Sequence, residues 1–213
     1  MGWLLTIKND KIASIGIGAM IVFIAMVLVA GIAASVLVQT SSLLEMQALK
    51  SGQETISEVA SGIKVGGVDG LNTSGKITKI IVEITSNAGS PSIDLGRTIV
   101  EISDSSEKYV LAYGNDLTNA SSINGNIFDI VAFGDATTFD LIVYQDADDS
   151  CSLTNPVINF GDHVGLAVNA SAIFSGLEQR KEVHGFVIPE EGAPGIIGFT
   201  TPASTSEKIV DLQ

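Results

Sequence analysis

Hydrophobic positions follow three successive rules along this chain. Ile12 to Leu44 contains no Asp, Glu, Lys, Arg or His, and from Gly16 its apolar side chains point in every direction, as a lipid-facing or buried helix requires. At about 1.5 Å per helical residue, Ile15 to Val38 alone spans roughly 36 Å, against a hydrocarbon core of about 30 Å. Beyond Val38 the helical pattern persists with one greasy face: Met46, Leu49, Ile56, Val59 and Ile63 recur at helical spacing, while Glu45, Lys50, Gln53, Glu54 and Glu58 face away. Gly62, Gly66, Gly67 and Gly70 break it. A period of two then takes over, in short β-branched runs between Gly, Asn, Asp and Ser clusters. The predicted strands are Lys76 to Thr85, Thr98 to Ser103, Lys108 to Tyr113, Ile127 to Phe133, Phe139 to Gln145, His163 to Asn169, Glu182 to Ile188 and a weaker one near Ile196 to Thr200. The expected fold class is α+β: a leader over 1–13, a hydrophobic then amphipathic helix over 14–65, and an antiparallel β sandwich or barrel over 66–213.

The apolar run is too long for a secretory signal peptide, and no small-residue cleavage site followed by polar sequence closes it. Lys8 and Lys11 precede it, as positive-inside bias places them, with Asp10 diluting that signal. Small residues punctuate it at Gly16, Gly18, Ala25, Ala30, Gly31 and Ala34, and Ala30/Ala34 and Gly31/Ser35 form small-xxx-small pairs that let helix backbones approach closely. A single-pass anchor also carries such residues. An anchor has no use, however, for the amphipathic continuation from Met46 to Ile63, which favours a helix that packs against copies of itself.

The formal net charge of -13, from 24 acidic and 11 basic residues, repels phosphate backbones and excludes nucleic acid as a natural partner. Cys151 is the sole cysteine, so no intrachain disulfide forms and stability must come from a core or from assembly. Sequons at Asn72, Asn119 and Asn169 are candidate N-glycan acceptors on an exported chain, or chance matches in a Ser/Thr-rich sequence. Catalysis is poorly supported, since His163 and His184 stand in no metal or nucleophile motif. No enzyme activity and no organic cofactor are expected. Asp146, Asp148 and Asp149 form an acidic turn that is either simply solvated or a site for a hard cation such as Ca²⁺, without the Gly and distal Glu of an EF-hand. Cys151 reads as a small buried residue, because no basic neighbour lowers its pKa.

Ile15 to Ala30, with Gly16-Ile17-Gly18 at its head and Phe23 and Ala25 within it, resembles the N-terminal segment of archaellins, the archaeal flagellins. Val59-Ala60-Ser61-Gly62, Gln145 to Val157 with Gly161-Asp162, and Pro189-Glu190 through Gly192-Ala193-Pro194-Gly195 to Thr200-Thr201-Pro202 are similar to further archaellin stretches. The resemblance implies a type IV pilin-like preprotein, held in the membrane before assembly and cut by a prepilin-type peptidase between Ala13 and Ser14. Lys11-Ile12-Ala13 stands where the family usually has a basic residue and Gly, and Ala19 replaces the familiar Thr. It further implies polymerisation with itself, or with sibling archaellins, into an extracellular filament turned by the archaellum motor, with helices in the filament core and glycosylated immunoglobulin-like heads outside. The competing expectations are an adhesive type IV pilin-like filament and a membrane-anchored binding domain.

Overall fold

The computed structural model describes residues 3–123, 125–130, 133–204 and 207–213, with side chains described from 14 onward apart from that of 130. Two compact units emerge, Met1–Gln53 and Glu54–Gln213. The first is one helix, α1 (Trp3–Ala60), whose last two turns belong to the second unit. Of the expected leader, 1–2 and the side chains of 3–13 lie outside the described residues. Thr40, in the polar Gln39-Thr40-Ser41-Ser42 segment, satisfies its hydroxyl within the helix by sharing its proton between the Val36 and Leu37 carbonyls, both at 3.0 Å.

α1 ends at Ala60 rather than at 65, because the chain is captured there by the head. Ser61 donates from its amide to the Ser57 carbonyl at 2.7 Å, and its own carbonyl accepts from the Ala193 amide at 2.9 Å. Gly62 lies beside Ala193 in an isolated bridge, and Ile63 is already a buried core residue in a strand, not the end of the helical stripe. The approach is too close for side chains. A Cβ on Gly192, which sits at φ +101°, would lie about 2.5 Å from the Ser61 backbone, and one on Gly62 would lie 2.6 Å from Asn87 Nδ2.

The head runs β1 (Ile63–Thr73), β2 (Lys76–Ser86), β3 (Ile93–Asp94), β4 (Ile99–Ser103), β5 (Lys108–Asn119), α2 (Ile127–Ile130), β6 (Thr138–Gln145), β7 (Cys151–Ser152), β8 (Asn155–Ile158), β9 (His163–Val168), α3 (Ala170–Phe174), β10 (Glu182–Ile188), β11 (Gly195–Thr200) and β12 (Ile209–Asp211). One sheet has the order β11-β10-β4-β5-β6-β9-β2-β1-β12, and a small one the order β3-β8-β7. All pairs are antiparallel except β5–β6, which run parallel. β5 is the corner: Lys108 to Leu111 pair with β4, whereas Ala112 to Asn119 pair with β6 across a register shift. The long sheet therefore folds into two facing halves, β11-β10-β4-β5 and β5-β6-β9-β2-β1-β12, the sandwich-like arrangement expected.

Alternation fixes which side chains meet. Ile80, Val82 and Ile84 of β2, Leu141 of β6, Val164 and Leu166 of β9, and Val100 and Ile102 of β4 all point into one core. Ile81, Ile142 and Ala167 point the other way, where Phe128 of α2, with Ile123, Ile127 and Phe133, covers them in a second cluster. Of the strand expected over Ile127 to Phe133, 131–132 lie outside the described residues, and 127–130 form the short α2 of this second layer instead. Its apolar residues pack on the sheet from outside instead of pairing with it, and Lys79 holds them by donating to the Phe128 carbonyl at 2.6 Å.

Candidate functional site

The candidate functional surface is α1. In water, a side chain such as Leu or Phe left exposed forgoes about 1.5–3 kcal/mol of burial, yet the large apolar residues of α1 are bare, from 52% exposed at Val36 to 81% at Val59, with Phe23 at 68%. Ala25, Ala30 and Ala34 are exposed as well. Beyond the adjoining residues and the helix's own backbone, no described atom lies within 4 Å of where a Cβ would stand on Gly16, Gly18 or Gly31. Each glycine inside a helix costs roughly 1 kcal/mol relative to Ala, and no packing among the described residues compensates for it. Small residues at such positions let a second helix backbone approach closely. Ser14 is exposed at the N-terminal edge of this surface, and the side chain of Ala13 lies outside the described residues.

A second cluster lies in the head. Asp146 accepts the Ser150 and Cys151 amides, at 3.2 and 2.9 Å. Asp148 accepts the Ser150 amide at 3.2 Å and Asn159 Nδ2 at 2.8 Å, and the Ser150 side chain first, then Asn159, hold its carboxyl below the usual range. The third member is Asp162, not Asp149. Asp149 adopts a left-handed conformation, φ +55°, and lies exposed outside the cluster, while the turn after β8 brings in Asp162. Carboxylate oxygens of Asp146, Asp148 and Asp162 lie within 4.8 Å of one another. Asp162 is buried; one oxygen accepts the Asn159 amide at 2.8 Å, and the other, Oδ1, has no hydrogen-bond partner among the described residues. A buried, unpartnered carboxylate oxygen is costly, and the oxygen-only donor set suits a hard divalent cation. The field of these acids also registers on buried Cys151, whose thiol is pushed up to about 12 by burial first and then by Asp146 and Asp162.

The sequons differ in how far their amides are engaged. Asn72 closes a turn, accepting the Gly75 amide at 3.0 Å and donating to the Glu207 carbonyl at 3.2 Å. Asn169 caps α3 by accepting the Ala172 amide at 3.2 Å. Asn119 is exposed and precedes a short 3₁₀ turn without capping it. His163 and His184 each lie beside one carboxylate, Glu83 at 3.4 Å and Glu182 at 3.2 Å, and neither belongs to the oxygen cluster.

A helix that leaves its apolar surface bare, joined to a β head closed around its own core, defines a subunit made to be covered by other molecules. Residues 13–199 match the model of the archaeal-type flagellin family. The chain is 43% identical to flagellin B2 of Methanocaldococcus jannaschii, over 96% of this chain and 97% of that one, and 41% identical to flagellin B1 of Methanococcus voltae, over 97% of each. The crystal structure of archaeal flagellin FlaB1 from Methanocaldococcus jannaschii is 38% identical and superposes with a TM-score of 0.65, covering 72% of this chain and 98% of its own. The archaeal flagellum of Methanospirillum hungatei strain JF1 shares the fold at 15% identity, with a TM-score of 0.63 over 92% of this chain and 98% of its own. The chain belongs to the archaeal-type flagellin family.

Proposed function

We propose that this archaellin is made as a preprotein held in the cytoplasmic membrane by Ile15 to Val38, cut by a prepilin-type peptidase between Ala13 and Ser14, and inserted helix-first into the growing filament at the archaellum motor. As an archaellin it is a structural subunit of the archaellum, the extracellular filament of archaeal swimming, and it self-assembles into that polymer. Its role is mechanical. The observation that carries the proposed route is the bare surface of α1, with Gly16, Gly18 and Gly31 open to the outside. Leaving the bilayer strips lipid from that surface, and neighbouring helices replace it. The close contacts between small residues are heterologous, so they repeat along an open helix instead of closing into a ring.

Asp146, Asp148 and Asp162 hold a structural divalent cation in this reading, tying the turn after β6 to the turn after β8. The bare oxygen on Asp162 supports it. Asn119 is the sequon best placed to carry a glycan; Asn72 and Asn169 are the other acceptor positions. Intact-mass measurement and N-terminal sequencing of sheared filaments test the route together. A chain beginning at Ser14 with added mass at a sequon is expected, whereas a full-length chain confined to membranes would contradict it. Deletion of the gene should abolish swimming; unchanged swimming with lost attachment would point to an adhesive filament instead.

A further inference from the structure

The head covers one of its outer sheet faces and leaves the other bare. On the β6-β9-β2 face, Ile81, Ile142 and Ala167 lie beneath Phe128. On the β11-β10-β4-β5 face, register places Ile196, Phe186, Glu101 and Val110 side by side across all four strands, with Ile188 and Ile99 paired in the next row. The five apolar members are 37–65% exposed. Lys108 neutralises Glu101, and Glu182 beside His184 is the remaining carboxylate among these neighbours, so this face carries little net charge on an otherwise acidic chain.

We propose that this face packs against a neighbouring copy of the same chain in the filament. The inference rests on the filament-subunit reading, which holds copies together at high effective concentration. Two observations select a second copy as the occupant. Acidic subunits repel one another, and this near-neutral apolar face is where two of them approach at least electrostatic cost. The bare area is on the order of a few hundred Å², well short of the roughly 800 Å² per partner that a free-standing pair needs, so it stabilises subunits already joined by their helices. Contact is through the face and not the edge, because Gln213 occupies the backbone of β11, accepting from the Gly198 amide at 2.8 Å and donating to the Ile196 carbonyl at 3.4 Å.

The test compares filaments of the wild type, of Phe186→Glu combined with Ile196→Glu, and of Thr200→Glu, a charge placed on the same face outside the patch. The double variant should give filaments severalfold shorter, or releasing free subunits at lower temperature, with head melting unchanged and Thr200→Glu behaving as wild type. A Val110→Cys variant gives an independent reading, because the native Cys151 is buried: a bulky maleimide should label it severalfold more slowly in filaments than in dissociated subunits. Equal labelling in both states, or double-variant filaments of wild-type length and dissociation temperature, would overturn the proposal. So would filaments that stay intact but lose attachment to surfaces, which would make the occupant a foreign surface. If wild-type cells make no filaments of this chain, the filament reading itself falls and takes the proposal with it.

Discussion

α1 and the head are built from the same apolar residue types and treat them in opposite ways. Leu28 on α1 is 62% exposed and Leu166 in β9 is fully buried. The head buries most of its hydrophobicity internally, in two clusters on the two faces of one sheet half, and leaves the β11-β10-β4-β5 face bare; the described side chains of α1 from 14 to 53 bury none of it. A folded domain and an unfinished interface therefore coexist in one chain, and the unfinished part is the one that makes a polymer.

The largest effect follows from crowding the helix surface. Ala30→Leu or Gly31→Leu should abolish filaments seen by electron microscopy while the head keeps its wild-type melting curve, and normal filaments from both would break the comparison. Leu166→Ala should destabilise the head by about 2–5 kcal/mol in chemical denaturation, whereas Leu28→Ala should leave head stability unchanged. Gly192→Ala should cost about 1–3 kcal/mol, from the positive φ and from the clash with Ser61 at the neck.

Smaller effects lie on the acids of the head. Ca²⁺ at one hundred times its dissociation constant should stabilise the head by about 2.7 kcal/mol, read as a rise in melting temperature that Asp162→Asn removes; no response in the parent protein would refute the cation site. Asp140 is buried against the Gly114 backbone, and burial first, then Asp116 and Asp135, pushes its carboxyl up to about 6. Because the folded value is raised, the stability of the neutral form is present in full below about pH 4 and is lost as pH rises through 6. Asp140→Asn should accordingly stabilise the head at pH 8 and lose that advantage near pH 4.

Much of this was legible in the sequence where a period was clean. β2, β4, β6, β9, β10 and β11 fall within a residue or two of the predicted runs, because alternation there reflects one buried face. β1 was hidden by Gly66, Gly67 and Gly70, which read as a helix-breaking loop but belong to a bulged strand whose register shifts at Gly67. Ile127 to Phe133 has strand-like composition, yet Ile127, Phe128 and Phe133 pack as part of a covering layer, a tertiary outcome that local pattern does not encode. The acidic turn showed Asp146 and Asp148, but neighbouring acids in sequence were a poor guide to the third ligand, which returns from Asp162 after the β7–β8 hairpin. The Gly161-Asp162 pair, with glycine at φ +98°, was the available signal. The neck residues Ser61 and Gly192 carried no chemical signature at all, since their role is one of close approach.

The central claim is that the surface of α1 from Ile15 to Leu44 is completed by other copies of α1. An electron cryo-microscopy map of filaments made by this chain tests it most directly. The account predicts these side chains buried against neighbouring helices, with Gly31 and Ala30 at points where backbones approach closely. A filament whose subunits touch only through their heads, with α1 left in solvent, would contradict it.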